Sequence, residues 1–145
     1  MVRALRPDLR EFVLGNRSSY IVVATRRQLL CLGAPTVVDW LTQLAAIDPL
    51  WSTCIEVSDP AKVVRELAEI YLEEIARATG RRWRLEPLGS EATGFDLDAV
   101  PEDGGKRVAL SLREEISDED GHDILTVFRP LDAVIEDAKT PYYTA

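Results

Sequence analysis

The segment from residue 58 to residue 80 constrains the fold most, because it carries the start, the stripe and the end of one long amphipathic helix. Ser58 or Asp59 can cap the first turn, and Pro60 suits the first helical position. Gly80 suits the position just past a helix end. The apolar residues between them share one stripe, at Val64, Leu67, Tyr71, Ile75 and Ala78. This spacing predicts a helix of about 20 residues with one buried face.

Shorter patterns on either side predict a mixture of helices and strands. Three further segments, 7–15, 36–47 and 130–138, have apolar residues at helical spacing between capping residues or prolines. Each is predicted to be a helix. Strand patterns, β-branched or alternating, occupy 20–25, 28–32, 51–57, 82–86, 108–112 and 124–128, and the first two predict a hairpin. Two segments are expected to be loops because of their polar composition: 88–105, apart from a short strand at 95–97, and the acidic segment 114–123.

Together these patterns predict an α+β fold. We expect a mixed or antiparallel sheet of about five to six strands, with one long helix and two or three shorter helices packed mainly on one face. A chain of 145 residues has the usual size of one domain. We therefore predict a single domain over 1–145, with 139–145 as a short C-terminal tail.

Charge is distributed unevenly along the chain. Residues 1–84 carry 12 Lys and Arg against 10 Asp and Glu, a net of +2, and residues 85–145 carry 5 against 15, a net of −10. Arg77, Arg81 and Arg82 suit the negative end of the long helix, which accounts for part of the basic half. The net charge of −8 argues against non-specific nucleic-acid binding and favours a basic protein partner.

No apolar stretch approaches the roughly 18 residues needed to cross a bilayer, and the first 15 residues lack the apolar core of a signal peptide. We therefore predict no membrane partner and a location in the cytoplasm or within an assembled particle. In a reducing compartment Cys31 and Cys54 are expected to be buried free thiols. The 14 arginines against 3 lysines are typical of a GC-rich bacterial genome.

Motifs for catalysis and cofactor binding are missing. The eight glycines form neither a phosphate-binding loop nor a dinucleotide fingerprint, no serine lies in a nucleophile elbow, and the two cysteines lack zinc spacing. The sequence therefore predicts no catalytic residue, no metal and no cofactor, and a protein that is not an enzyme.

The densest ionisable cluster is 118–123. A calcium loop with Gly121 in its sixth position would place Ile116 first and Val127 twelfth, and neither side chain supplies an oxygen. A looser divalent site built from Asp118, Asp120 and Asp123 stays open. So does a general base at His122, paired with Asp96 or Asp98, because histidine alone titrates near neutrality.

The leading hypothesis is a non-enzymatic protein–protein interaction protein, a component or assembly factor of a larger bacterial or phage complex. Its partner would be a basic protein or further copies of itself, bound through carboxylates and a C-terminal aromatic pair. These candidate residues are Glu114, Glu115, Asp118, Glu119, Asp120, Asp123, Tyr142 and Tyr143. The alternatives are an acidic immunity-type inhibitor or dedicated chaperone of a basic protein, and a small enzyme with a site around His122.

Overall fold

The computed structural model describes residues 8–24, 28–32, 54–88, 96–118 and 121–140. Its helices are α1 (Leu9–Leu14), α2 (Pro60–Thr79) and α3 (Leu131–Lys139). Its strands are β1 (Ile21–Ala24), β2 (Leu29–Leu32), β3 (Cys54–Glu56), β4 (Trp83–Leu88), β5 (Asp96–Pro101), β6 (Val108–Ala109), β7 (Ser111–Asp118) and β8 (Gly121–Phe128). The predicted α+β class is confirmed. The predicted antiparallel sheet of five to six strands is matched only in part, because the described residues form eight antiparallel strands, five in one sheet and three in a second.

The long helix α2 has the predicted ends. The Asp59 carboxylate caps it by accepting a hydrogen bond from the Lys62 amide at 3.2 Å, and Gly80 ends it with a left-handed φ of 69°. Four of the five residues of the predicted stripe are buried: Val64, Leu67, Tyr71 and Ile75. Ala78 is exposed, whereas Glu74 is buried among the apolar residues.

The two shorter described helices also lie where the sequence predicts them. Asp8 caps α1 by accepting from the Glu11 amide at 3.2 Å, and the helix ends at Gly15. Helix α3 follows Pro130 and buries Leu131, Val134, Ile135 and Ala138. The helix predicted at 36–47 lies outside the described residues. Of the predicted tail 139–145, Lys139 belongs to α3, and residues 141–145 lie outside the described residues.

The larger sheet has the strand order β3-β2-β1-β8-β7, and its first hairpin, β1–β2, is confirmed. Ile21 and Val23 point to the core that contains the buried faces of the three helices. Val22 and Ala24 belong to a separate buried cluster with Leu125 and Val127. Strand β1 is therefore apolar on both faces, which explains its unbroken run of hydrophobic residues.

The smaller sheet, β4-β5-β6, is joined to the larger one at Leu110. The Leu110 amide donates to the Leu97 carbonyl at 2.8 Å, and its carbonyl accepts from the Arg129 amide at 2.9 Å. The chain thus passes from one sheet to the other between β6 and β7. Strand β5 itself corrects the loop expected at 88–105. Leu97 and Ala99 are buried there, and their alternation outweighs the turn-forming character of the neighbouring aspartates.

The prediction that Cys31 and Cys54 are free thiols is wrong. Cys31 is disulfide-bonded, and the only other cysteine, Cys54, lies opposite it in the β2–β3 register. The Val57 amide donates to the Gln28 carbonyl at 2.8 Å, so residues 28 and 57 are a hydrogen-bonded pair. Pairs alternate along an antiparallel ladder, which makes 31 and 54 a non-hydrogen-bonded pair, where the Cα atoms come closest. That separation, about 4.5 Å in such pairs, lies within disulfide range.

Candidate functional site

The acidic segment forms a β-hairpin rather than the loop expected from its composition. Strands β7 and β8, residues 111–128, pair from Ser111↔Phe128 to Asp118↔Gly121, and we call this element the acidic hairpin. Polar composition only correlates with loops, whereas this segment satisfies its backbone groups by pairing across two strands. The hairpin carries six carboxylates and one arginine, so its net charge is 1 − 6 = −5.

The β7–β8 register does not place the described acidic residues opposite one another. Each carboxylate in the described strands lies opposite an uncharged residue, in the pairs Glu114↔Leu125, Glu115↔Ile124, Asp123↔Ile116 and Asp118↔Gly121. Like charges directly opposite each other would destabilise the pairing. The hairpin therefore gathers negative charge without placing any two of these four carboxylates face to face.

The candidate residues fall into three groups. Glu114, Glu115, Asp118 and Asp123 are brought together on the acidic hairpin, and Glu115 is exposed, with Oε1 4.0 Å from Arg113 Nη2. An exposed ion pair of this length contributes little to stability. Glu119 and Asp120, between the two strands, lie outside the described residues. So do Tyr142 and Tyr143.

The groups proposed for an enzyme site lie on different parts of the fold. His122 is opposite Ser117 in the hairpin, six strand positions from Ser111, where β7 meets β5. Six positions correspond to roughly 20 Å along a strand. Asp98, in β5, is already engaged by Arg107, whose Nε lies 2.8 Å from Oδ2.

Among the residues that the structure describes, no group of three or more His, Cys, Asp or Glu side chains is placed to hold a metal ion. Across those same ranges, no helix has both the length and the apolar character required to span a bilayer.

A buried carboxylate at the junction of α1 and α2 went undetected in the sequence. The Glu74 side chain is only 7% exposed, and guanidinium nitrogens of Arg10, Arg17 and Arg77 lie 3.9, 3.9 and 3.3 Å from its oxygens. Arg17 also pairs with Asp132 of α3 at 2.9 Å. This network ties the three helices together. Arg77 is three residues from Glu74, but Arg10 and Arg17 are 64 and 57 residues away along the chain, so no local pattern could have revealed the whole network.

Exposed pairs at the edge of this network hold it in place. Arg10 also donates to Glu73, and this hydrogen bond holds the pKa of the Glu73 carboxyl below its usual value. The three arginines are matched by the carboxylates of Glu73, Glu74 and Asp132, so the cluster has no net charge. We assign it a role in helix packing rather than in ligand binding.

Comparison with models of known protein families, with curated proteins and with solved structures finds no match to this chain.

Proposed function

We propose that this chain is a non-enzymatic protein–protein interaction protein, a component or assembly factor of a larger bacterial or phage complex. The acidic hairpin would bind a basic surface on a partner protein or on another copy of the chain. One observation carries the proposal: Glu114, Glu115, Asp118 and Asp123 share one two-stranded element, within a segment, 111–128, whose sequence has a net charge of −5.

The physical argument is electrostatic. Carboxylates grouped on one hairpin lie within about one Debye length (8–10 Å) of their neighbours, so their fields add. A summed field of this kind speeds encounter with a surface of opposite charge and selects against acidic partners. Strand pairing also fixes the backbone positions of Glu114, Glu115, Asp118 and Asp123, so less entropy is lost on binding than with a disordered acidic loop.

The disulfide bond of Cys31 indicates the compartment in which the protein would bind its partner. Disulfides persist in oxidising environments and are rare in the reducing cytoplasm. The disulfide therefore favours an assembled particle over the cytoplasm as the site of action.

Two alternatives use the same residues. An immunity-type inhibitor or dedicated chaperone would employ the acidic hairpin to cover a basic site, and it would differ from an assembly component in binding one partner in a closed complex. An enzyme built on His122 is less well supported, because β5, with Asp96 and Asp98, meets β7 at the opposite end of the hairpin.

The experiment compares the wild-type chain with two variants of equal charge. The hairpin variant is Glu115→Gln/Asp118→Asn/Asp120→Asn/Asp123→Asn. The dispersed variant neutralises four carboxylates elsewhere, Glu56, Glu66, Glu69 and Glu102, none of which forms an ion pair with another described residue. Light scattering at low and high salt measures self-association, and affinity capture followed by association kinetics measures binding to other proteins.

We expect the wild type and the dispersed variant to associate with themselves or with a basic partner, in a salt-sensitive manner. The hairpin variant should associate at least tenfold more slowly, because encounter depends on the local field. A strictly monomeric wild type that captures no partner would refute the proposal. Equal association by the two variants would refute the role of the hairpin.

A further inference from the structure

A cleft opens where the C-terminal ends of α2 and α3 meet the smaller sheet, and no residue of the acidic hairpin is among the residues that line it. It has a volume of about 510 Å³, within the range of small-molecule sites. Part of its wall is apolar, formed by Trp83, Val108, Ala78 and Ala138. The exposed Ala78 of α2 thus lines this cleft rather than the core.

The polar groups around Trp83 are satisfied within the protein. The Trp83 indole N–H donates to Thr79 Oγ1 at 3.0 Å. Arg81 lies over the indole, with its guanidinium carbon 5.4 Å from the ring centroid, and donates to Asp103 at 2.7 Å and to the Gly104 carbonyl at 2.9 Å. These contacts fix the shape of the wall before any ligand arrives.

Two lysines in the wall, Lys106 and Lys139, have no carboxylate of a described residue within hydrogen-bond distance. Lys106 makes no ion pair with another described residue, and Lys139 has only Glu136, with 3.9 Å between Nζ and Oε1. The one acidic residue in the wall, Asp137, is engaged by Arg129 at 2.8 Å. Both ammonium groups are therefore available to a ligand.

The cations of the wall differ in how far neighbouring carboxylates offset them. Arg81 is paired with Asp103 at 2.7 Å, and Lys139 only distantly with Glu136 at 3.9 Å. The single acidic residue of the lining, Asp137, is itself paired with Arg129. Lys106 and Lys139 are therefore the two lining cations that an anionic group could approach.

We propose that this cleft binds a small organic anion, with an apolar body against Trp83 and Val108 and a carboxylate or phosphate head between Lys106 and Lys139. The body displaces water from the apolar wall, and the head forms charge-assisted hydrogen bonds with the two ammonium groups. This inference is independent of the acidic hairpin and of any protein partner.

The test follows the assigned indole N–H signal of Trp83 by NMR during titration with four probes: phenyl phosphate, benzoate, inorganic phosphate and neutral benzyl alcohol. We expect phenyl phosphate or benzoate to shift this signal saturably, and whichever binds more tightly identifies the head group. Lys106→Gln/Lys139→Gln should weaken that binding at least tenfold, because it removes both cations.

The control variant, Lys62→Gln/Arg82→Gln, has the same net charge. Lys62 lies near the start of α2, some 25 Å from the cleft by helix rise, and Arg82 lies beside the cleft without lining it. This variant should bind as the wild type does. Unchanged unfolding temperatures verify that both variants fold.

Three outcomes would overturn the proposal. The first is that neither aromatic anion shifts the Trp83 signal. The second is that the two variants weaken binding equally, which would indicate general charge attraction. The third is that benzyl alcohol or inorganic phosphate alone binds as tightly as the aromatic anions. Such a result would show that the cleft does not require a ligand with both an apolar body and an anionic head.

Discussion

At the scale of single residues, Tyr71 shows how one side chain joins the elements of this fold. It is fully buried on α2, its hydroxyl donates to the Arg129 carbonyl at 2.7 Å, and its ring centroid lies 5.2 Å from that of Phe128. The Arg129 amide in turn donates to Leu110, where the two sheets meet. One hydroxyl therefore anchors the long helix to the point where the chain changes sheets.

The same residue predicts a pH dependence. Burial raises the pKa of Tyr71 above its ordinary value of 10.0, and the charge of Arg129 opposes this only in part. As the pH rises past about 10, Tyr71 loses its proton in the unfolded chain before it does so in the folded protein. The contribution of Tyr71 to stability is therefore complete below about pH 10 and declines above it. We expect the free energy of unfolding to fall by up to 1.4 kcal/mol per pH unit from about pH 10 upward.

Denaturant titrations from neutral to alkaline pH measure this slope. Tyr71→Phe should remove the contribution of Tyr71 to the slope and lower stability at neutral pH by about 1–2 kcal/mol, because the Arg129 carbonyl loses its hydrogen-bond donor. Tyr20→Phe is the matched control and should retain the slope. A Tyr71→Phe slope equal to that of the wild type would contradict the assignment.

At the scale of elements, sequence reasoning succeeded where signals were local. Helix α2 has its cap, its apolar spacing and its terminal glycine within one segment, and both ends were predicted. The sequence predicts only a short strand at 95–97 where β5 runs from Asp96 to Pro101, and a loop at 114–123 where the two strands of the acidic hairpin continue, because the aspartates and glutamates there suit turns and strand character depends on the pairing partner. The acidic residues form one group in the sequence, and strand pairing shows that Glu114, Glu115, Asp118 and Asp123 share one hairpin.

The disulfide, like the acidic hairpin, could not be predicted from the sequence, because the spacing of two cysteines does not determine which strands pair or in which register. It closes a loop of 24 residues, from 31 to 54, and secures the three-residue edge strand β3 to its neighbour. Loop-closure entropy predicts a stabilisation of about 3 kcal/mol. We expect reduction, or the double substitution Cys31→Ala/Cys54→Ala, to lower the free energy of unfolding by about this amount.

Thiol titration under denaturing conditions should find no free thiol in the native oxidised protein and two after reduction. The double variant supplies the control, since a reductant should leave its stability unchanged. Two titratable thiols in freshly purified, unreduced protein would show that the bond is absent in solution.

At the scale of the whole molecule, the excess negative charge has an energetic consequence. The net charge is −8, and the acidic hairpin holds −5 of it on 18 of the 145 residues. Surfaces kept for binding are often poorly suited to the isolated protein, because the charges that attract a partner repel one another until it arrives. The hairpin variant and the dispersed variant both bring the net charge to −4, so they separate the effect of position from that of total charge.

We expect the hairpin variant to unfold about 2–4 °C higher than the wild type at low salt, corresponding to about 1 kcal/mol of relieved repulsion. The gain should shrink as salt screens the carboxylates. The dispersed variant should change the unfolding temperature by less, because its four carboxylates are spread over β3, α2 and the turn after β5, and only Glu66 and Glu69 share an element. Calorimetry across a salt series measures both, and equal shifts in the two variants would mean that total charge, rather than its concentration on one hairpin, sets this cost.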